Sequence, residues 1–142
     1  MVGGQTIDLQ SEGHTISIEQ LNTLQSLKTG ALLKAACVMG AVLGGASAEK
    51  QNAAKLFGEE LGRAFQIVDD ILDATSDAAT LGKPVGADAA AEKSTYVTLL
   101  GLDEARKMAQ KHTEAALAAL DIFGADADSL RKLTEDLQNR CY

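Results

Sequence analysis

The stretch Gly58-Glu59-Glu60-Leu61-Gly62-Arg63-Ala64-Phe65-Gln66-Ile67-Val68-Asp69-Asp70-Ile71-Leu72-Asp73 has a helical repeat. At about 100° per residue, Gln66, Asp69, Asp70 and Asp73 fall within an arc of about 100°, while Leu61, Ala64, Phe65, Ile67, Val68, Ile71 and Leu72 occupy the other side. Asp69 and Asp73 are one turn apart, a spacing that presents oxygens to a hard cation such as Mg²⁺. An acidic face turned to solvent is the competing reading. Against it, Asp is a poor mid-helix residue and three like charges within a turn repel. Gly58 and Gly62 lie on the same arc, each costing about 1 kcal/mol relative to Ala. A solvated face has no use for them, so a cavity or ligand close to this face is expected.

Working outward, the same period recurs. Ile18, Leu21, Leu24, Leu27, Leu32, Ala35, Val38, Met39, Val42 and Leu43 predict an amphipathic to nearly all-buried helix ended by Gly44-Gly45. The polar stretch from Ala74 to Ala87, with the only Pro, reads as a loop. A third helix starts near Asp103, with Ala105, Met108, Ala109, His112, Ala116, Leu120 and Phe123 on one side and Gly124 at the C-cap position. A fourth is capped by Asp128 or Ser129 and carries Leu130, Leu133, Leu137 and Cys141. No segment alternates with period two, so the fold class is all-α, in one domain over 1–142.

Composition excludes several functions. The chain of 142 residues is 46% hydrophobic, which suits a globular core, and its net charge of −7 with 4% aromatics leaves neither a basic stripe nor a stacking platform, so no nucleic acid is expected. The longest apolar run, Ala35 to Ala48, falls short of the ~20 residues that span a bilayer, so no membrane span is expected. Two scattered cysteines, Cys37 and Cys141, suit a reducing, cytoplasmic setting. The opening Met1-Val2-Gly3-Gly4-Gln5 is apolar and small, as if cut from inside a packed element.

Cations accompany the acid face. Lys28-Thr29-Gly30 lies inside the first helical period, and Gly82-Lys83-Pro84 lies in the loop, followed by Lys93-Ser94-Thr95-Tyr96. Lys is a compact point charge suited to phosphate, a Thr hydroxyl adds a hydrogen bond and flanking Gly permits close backbone approach. Each motif alone also fits a helix irregularity or an ordinary turn. His14 and His112 lack partners at ligand spacing and are read as structural.

Taken in order, Met1 to Gln5 with Asp8-Leu9, Lys28 to Leu32, Gly58 to Gly62 with Phe65 to Asp73, Leu81-Gly82-Lys83 with Gly86 and Asp88, and Lys93 to Tyr96 resemble the trans-isoprenyl diphosphate synthase family, most nearly the bacterial farnesyl diphosphate synthases. The resemblance covers the second half of such an enzyme. It implies a class I isoprenoid synthase bundle around a central cavity, with three Mg²⁺ held between two aspartate-rich motifs. Asp69, Asp70 and Asp73 match the second motif, Asp69 as the direct ligand and the others as ligand or water-mediated partners. Lys28, Lys83 and Lys93 match lysines that grip the allylic diphosphate. Thr29 and Gln66, with Lys28, match groups facing the developing carbocation, and Gln5 matches a cavity-lining position. The implied reaction condenses isopentenyl diphosphate with a short allylic diphosphate, in a homodimer.

The first aspartate-rich motif and the residues that bind isopentenyl diphosphate have no counterpart here, so the chain alone is expected to be inactive. It is expected to be the C-terminal portion of one synthase domain. The alternative is a short regulatory homologue that pairs with a complete synthase subunit.

Overall fold

A computed structural model describes residues 1–75 and 93–140, and every described element is helical. Helix α1 (Val2–Ser11) is followed by α2 (Ile18–Gln25), a π-helical turn (Ser26–Gly30) and α3 (Ala31–Leu43), the last three forming one run. Then come the long α4 (Ala48–Thr75), the short α5 (Tyr96–Leu100), α6 (Leu102–Ala119), a 3₁₀ segment (Asp121–Ala127) and α7 (Asp128–Gln138). α4 is the axis, packed by α3 on one flank and α6 on the other.

Local chemistry sets the boundaries. Ser17 caps α2, its hydroxyl accepting from the Gln20 amide while the Gln20 side chain accepts from the Ser17 amide. Thr95 and Thr98 form the same box at α5. Gly101 stands between α5 and α6 at φ 83, a left-handed conformation that favours glycine.

The core lies on the apolar side of α4. Ile67 and Val68 pack with Leu21, Tyr96, Ala105 and Ala109, and Phe57 and Leu61 pack with Ala116, Leu120 and Ala127. Beside this core, where α4 meets α6, a buried carboxylate, Glu60, receives Arg63 from its own helix and His112 Nδ1 at 2.6 Å from α6, so His112 joins two helices.

Several expectations are corrected. Val2–Ser11 and Tyr96–Leu100 are helices that the hydrophobic period did not mark, because α1 is small and polar and α5 is only five residues. α3 has no buried residue, against the nearly all-buried expectation, and Leu32, Met39, Val42 and Leu43 are exposed. Its apolar circumference is wider than the one side that α4 covers. α7 begins after Ala127 without a side-chain cap, and Asp128 instead pairs with Arg131 at 2.8 Å. Thr134 is the buried residue of α7, whereas Leu130 and Leu133 are exposed. Gly124 breaks the 3₁₀ segment at φ 57 rather than capping α6. Ile18–Leu43 is, by length and a hydropathy of 1.4, apolar enough to cross a membrane, which inspection of Ala35–Ala48 alone overlooks. In the fold its Lys28 and Lys34 pair with Asp8 and Glu59.

The main correction concerns the glycines. What approaches Gly58 and Gly62 is the backbone of the neighbouring run: an added Cβ at Gly62 would sit 2.9 Å from Gly30 Cα, and at Gly58 2.8 Å from Lys34 Cα. On α1, a Cβ at Gly4 would lie 2.3 Å from the Lys28 amide nitrogen. Helix α1 and helix α4 therefore clasp the π turn from two directions. We expect Gly4→Ala to lower the unfolding free energy by about 1–3 kcal/mol, the usual cost of forcing an overpacked contact. Gly40→Ala, where nothing lies within 4 Å, should raise it by up to about 1 kcal/mol through helix propensity. Urea unfolding of the two variants checks both, and equal effects would show that the Gly4 contact is not a constraint.

Candidate functional site

The π turn carries Lys28 and Thr29 to the meeting point of α1, α4 and the segment before α5. A π turn holds one extra residue, so it shifts the register of the side chains that follow it, while consecutive residues in a helix already point about 100° apart. Lys28 turns to α1, where its ammonium donates to Asp8 Oδ2 at 2.7 Å. Thr29 turns to α4, where its hydroxyl donates to Gln66 Oε1 at 3.1 Å. Lys93 reaches the same Asp8 Oδ2 at 3.2 Å and Glu12 Oε1 at 3.5 Å.

Asp8 is 8% exposed. Burial raises its carboxyl, but hydrogen bonds and charge from Lys28 and Lys93 more than offset this and hold it below its ordinary 3.8. Each ammonium is drawn to the shared oxygen at 2.7 and 3.2 Å, and because Coulomb energy falls as 1/r these short attractions offset the repulsion between the two like charges. One carboxylate is thus enough to keep two lysines together.

From Gln66 a chain of hydrogen bonds continues down α4. Its Nε2 donates to Asp70 Oδ1 at 3.2 Å, and Asp70 Oδ2 accepts the Tyr96 amide at 2.9 Å. That amide is the first of α5 and has no partner within its own helix. Tyr96 itself is buried and its hydroxyl donates to Asn22 at 2.7 Å. Burial, then the charge of Asp70, pushes the phenol up to about 12, so it stays neutral.

The three aspartates therefore do not share one opening. Asp69 and Asp70 stand at opposite edges of the acidic arc: Asp70 is buried against α5, whereas Asp69, its side chain 40% exposed, faces Arg140 at 3.5 Å. Asp73 is buried. Arg140 lies over the Phe65 ring at 4.1 Å and donates to the Phe65 carbonyl at 3.1 Å. Among the described residues no three His, Cys, Asp or Glu side chains are gathered as a metal cage. Such a site still fits Mg²⁺, which keeps several waters and is bound through one or two carboxylates plus substrate phosphates. Gln5 is exposed on α1, one turn before Asp8. Lys83 lies outside the described residues.

The sequence matches the polyprenyl synthetase family over residues 1–137. The chain belongs to that family. Among curated relatives, geranylgeranyl diphosphate synthase of Cyanophora paradoxa is 40% identical over 141 residues, 99% of this chain and 47% of that protein. Farnesyl diphosphate synthase of Escherichia coli is 43% identical over 136 residues, 95% of this chain and 42% of that one. The chain thus spans less than half the length of these relatives. A solved geranyltransferase of Helicobacter pylori, complexed with magnesium and isoprenyl diphosphate, superposes with a TM-score of 0.79 at 34% identity, covering 98% of this chain and 46% of that one. The fold is the all-α isoprenoid synthase fold.

Two residues of this site escaped the sequence reading. Asp8 is inside a quoted motif without a role, and its pairing over 20 and 85 positions has no sequence signal. Arg140 is separated from Asp69 by 71 positions and is placed by the path of α7. The Asp8 pairing has a pH consequence. A carboxyl held below its ordinary value contributes stability above that value and loses it as pH falls through the lower folded value. We expect unfolding free energy from urea titration to fall below about pH 4, and Asp8→Asn to flatten part of that acid limb. An identical limb in the variant would remove Asp8 from the account.

Proposed function

We propose that this chain supplies part of the active site of a Mg²⁺-dependent prenyltransferase that condenses isopentenyl diphosphate with a short allylic diphosphate. The observation that carries this reading is that Lys28 and Lys93 meet on Asp8 while the adjacent Thr29 donates to Gln66 of α4, the helix that carries the partly exposed Asp69 one turn further on. This arrangement sets cationic donors, neutral oxygens and a partly exposed carboxylate side by side. In this reading the chain works as the C-terminal portion of one synthase domain.

Lys28 and Lys93, with Lys83, bind the allylic diphosphate as point charges. Asp69 holds Mg²⁺, with Asp73 as a direct or water-mediated partner, and the metal when bound neutralises charge on the departing diphosphate. Asp70, the third metal residue of the resemblance, accepts one hydrogen bond on each oxygen, from Gln66 and from the Tyr96 amide, and we assign it the further role of fixing Gln66 and α5.

The carbon–oxygen bond of the allylic substrate breaks and the diphosphate leaves with the electron pair. The double bond of isopentenyl diphosphate attacks the allylic carbon, and a proton is lost from the adduct. With the Thr29 proton directed at Gln66, lone pairs of the threonine oxygen remain to face the cation, and Asp70 fixes the amide that receives that proton. Gln5 lines the cavity. The homodimer and the cytoplasmic setting expected from the resemblance belong to this reading. The intact cationic and acidic groups favour a catalytic over a regulatory chain.

In the enzyme that contains this chain, Asp69→Asn should lower kcat by orders of magnitude and weaken Mg²⁺ binding, with helicity and melting temperature unchanged. Unaltered turnover would remove the metal assignment.

A further inference from the structure

Asp8 has no role in the reaction just described, yet it is the point at which three separate segments meet. Lys28 comes from the π turn and Lys93 from the residues before α5, and both end on one oxygen, Oδ2. Gly4 is one turn earlier on the same face of α1 and lets its backbone touch the Lys28 backbone. Gly4 and Asp8 together therefore fix both ends of Lys28, main chain and ammonium. A buried carboxylate flanked by lysines is a weak source of stability, since apolar groups of the same volume would do as well or better. An ammonium has three N–H donors, so Lys28 keeps donors beyond the one it gives to Asp8. Lys93 also lies 3.5 Å from Glu12 Oε1, so among the described residues Asp8 is the one carboxylate the two lysines share, and it sets two ammonium groups side by side, a shape suited to two oxygens of a single polyanion.

We propose that Asp8 is a positioning residue for diphosphate binding: its buried carboxylate gathers Lys28 and Lys93 into one grip that neither lysine would form alone. This rests on the prenyltransferase reading for the identity of the anion. Removing the carboxylate has two opposed effects. It takes a negative charge away from the anion site, which favours binding, and it lets two like charges separate into solvent, which disfavours it. The grip works through the second effect, because a long lysine chain released from its partner regains rotamer freedom that binding must remove again.

The test uses the enzyme that contains this chain and inorganic diphosphate as the probe, titrated by calorimetry in the presence of Mg²⁺. Wild type should bind, Asp8→Asn should bind about tenfold more weakly, as when a group that orients a ligand-holding residue is lost, and Asp8→Glu should fall between. Lys93→Met should cost less in the Asp8→Asn background than in wild type, a coupling that a merely structural aspartate would not produce. Unchanged or tighter binding by Asp8→Asn, or strictly additive effects, would overturn the proposal while leaving the prenyltransferase reading intact. Failure of the wild type to bind diphosphate would overturn both. Should Asp8→Asn not fold, the same cycle run with Asp8→Glu and Lys93→Met decides in the same way.

Discussion

The site depends on one constraint, the close approach of the Lys28 turn to backbone on two sides. Gly4 admits it to α1 and Gly62 to α4, each at a distance that a Cβ would forbid. With the turn clasped there, two consecutive side chains, which a helix points about 100° apart, reach different neighbours, Lys28 the carboxylate of α1 and Thr29 the amide of α4. A turn held farther away would leave both side chains short of their partners. The glycines that cost helix propensity are thus what join the cationic and acidic halves of the site.

Much of the fold was legible in the sequence because α4 and α6 carry long apolar periods. Ile67, Val68, Ala105, Ala109 and Ala116 are buried as their spacing predicts. α1 was not legible, because residues that lie against a backbone rather than a core need small size and not hydrophobicity. The exposed face of α3 was misread for the reverse reason: Leu32, Met39 and Val42 look like core, but α4 reaches only the side bearing Gly30 and Lys34. The candidate site residues were named from ordered motifs, while their roles were only partly visible. Gly58 and Gly62 correctly signalled close approach, and only the structure shows that the approaching body is a helix.

The acid face gives the same lesson in electrostatic terms. Helical spacing alone puts Asp69, Asp70 and Asp73 on one arc, but an arc of about 100° has two edges that look at different neighbours. One edge meets the unpaired amide of Tyr96 at the start of α5 and the other meets Arg140. Three like charges within a turn are tolerated because each edge has its own partner, which divides the work between a carboxylate that holds the protein together and one left partly open to solvent.

The central claim is that the lysine pair and Asp69 belong to one Mg²⁺–diphosphate site. A crystal structure of the enzyme containing this chain, grown with Mn²⁺ as an anomalous substitute and inorganic diphosphate, tests it most directly. The account predicts an anomalous peak on the Asp69 carboxylate, with diphosphate oxygens reaching from that metal to Lys28 and Lys93. Metal bound away from Asp69, or diphosphate that contacts neither lysine, would contradict it.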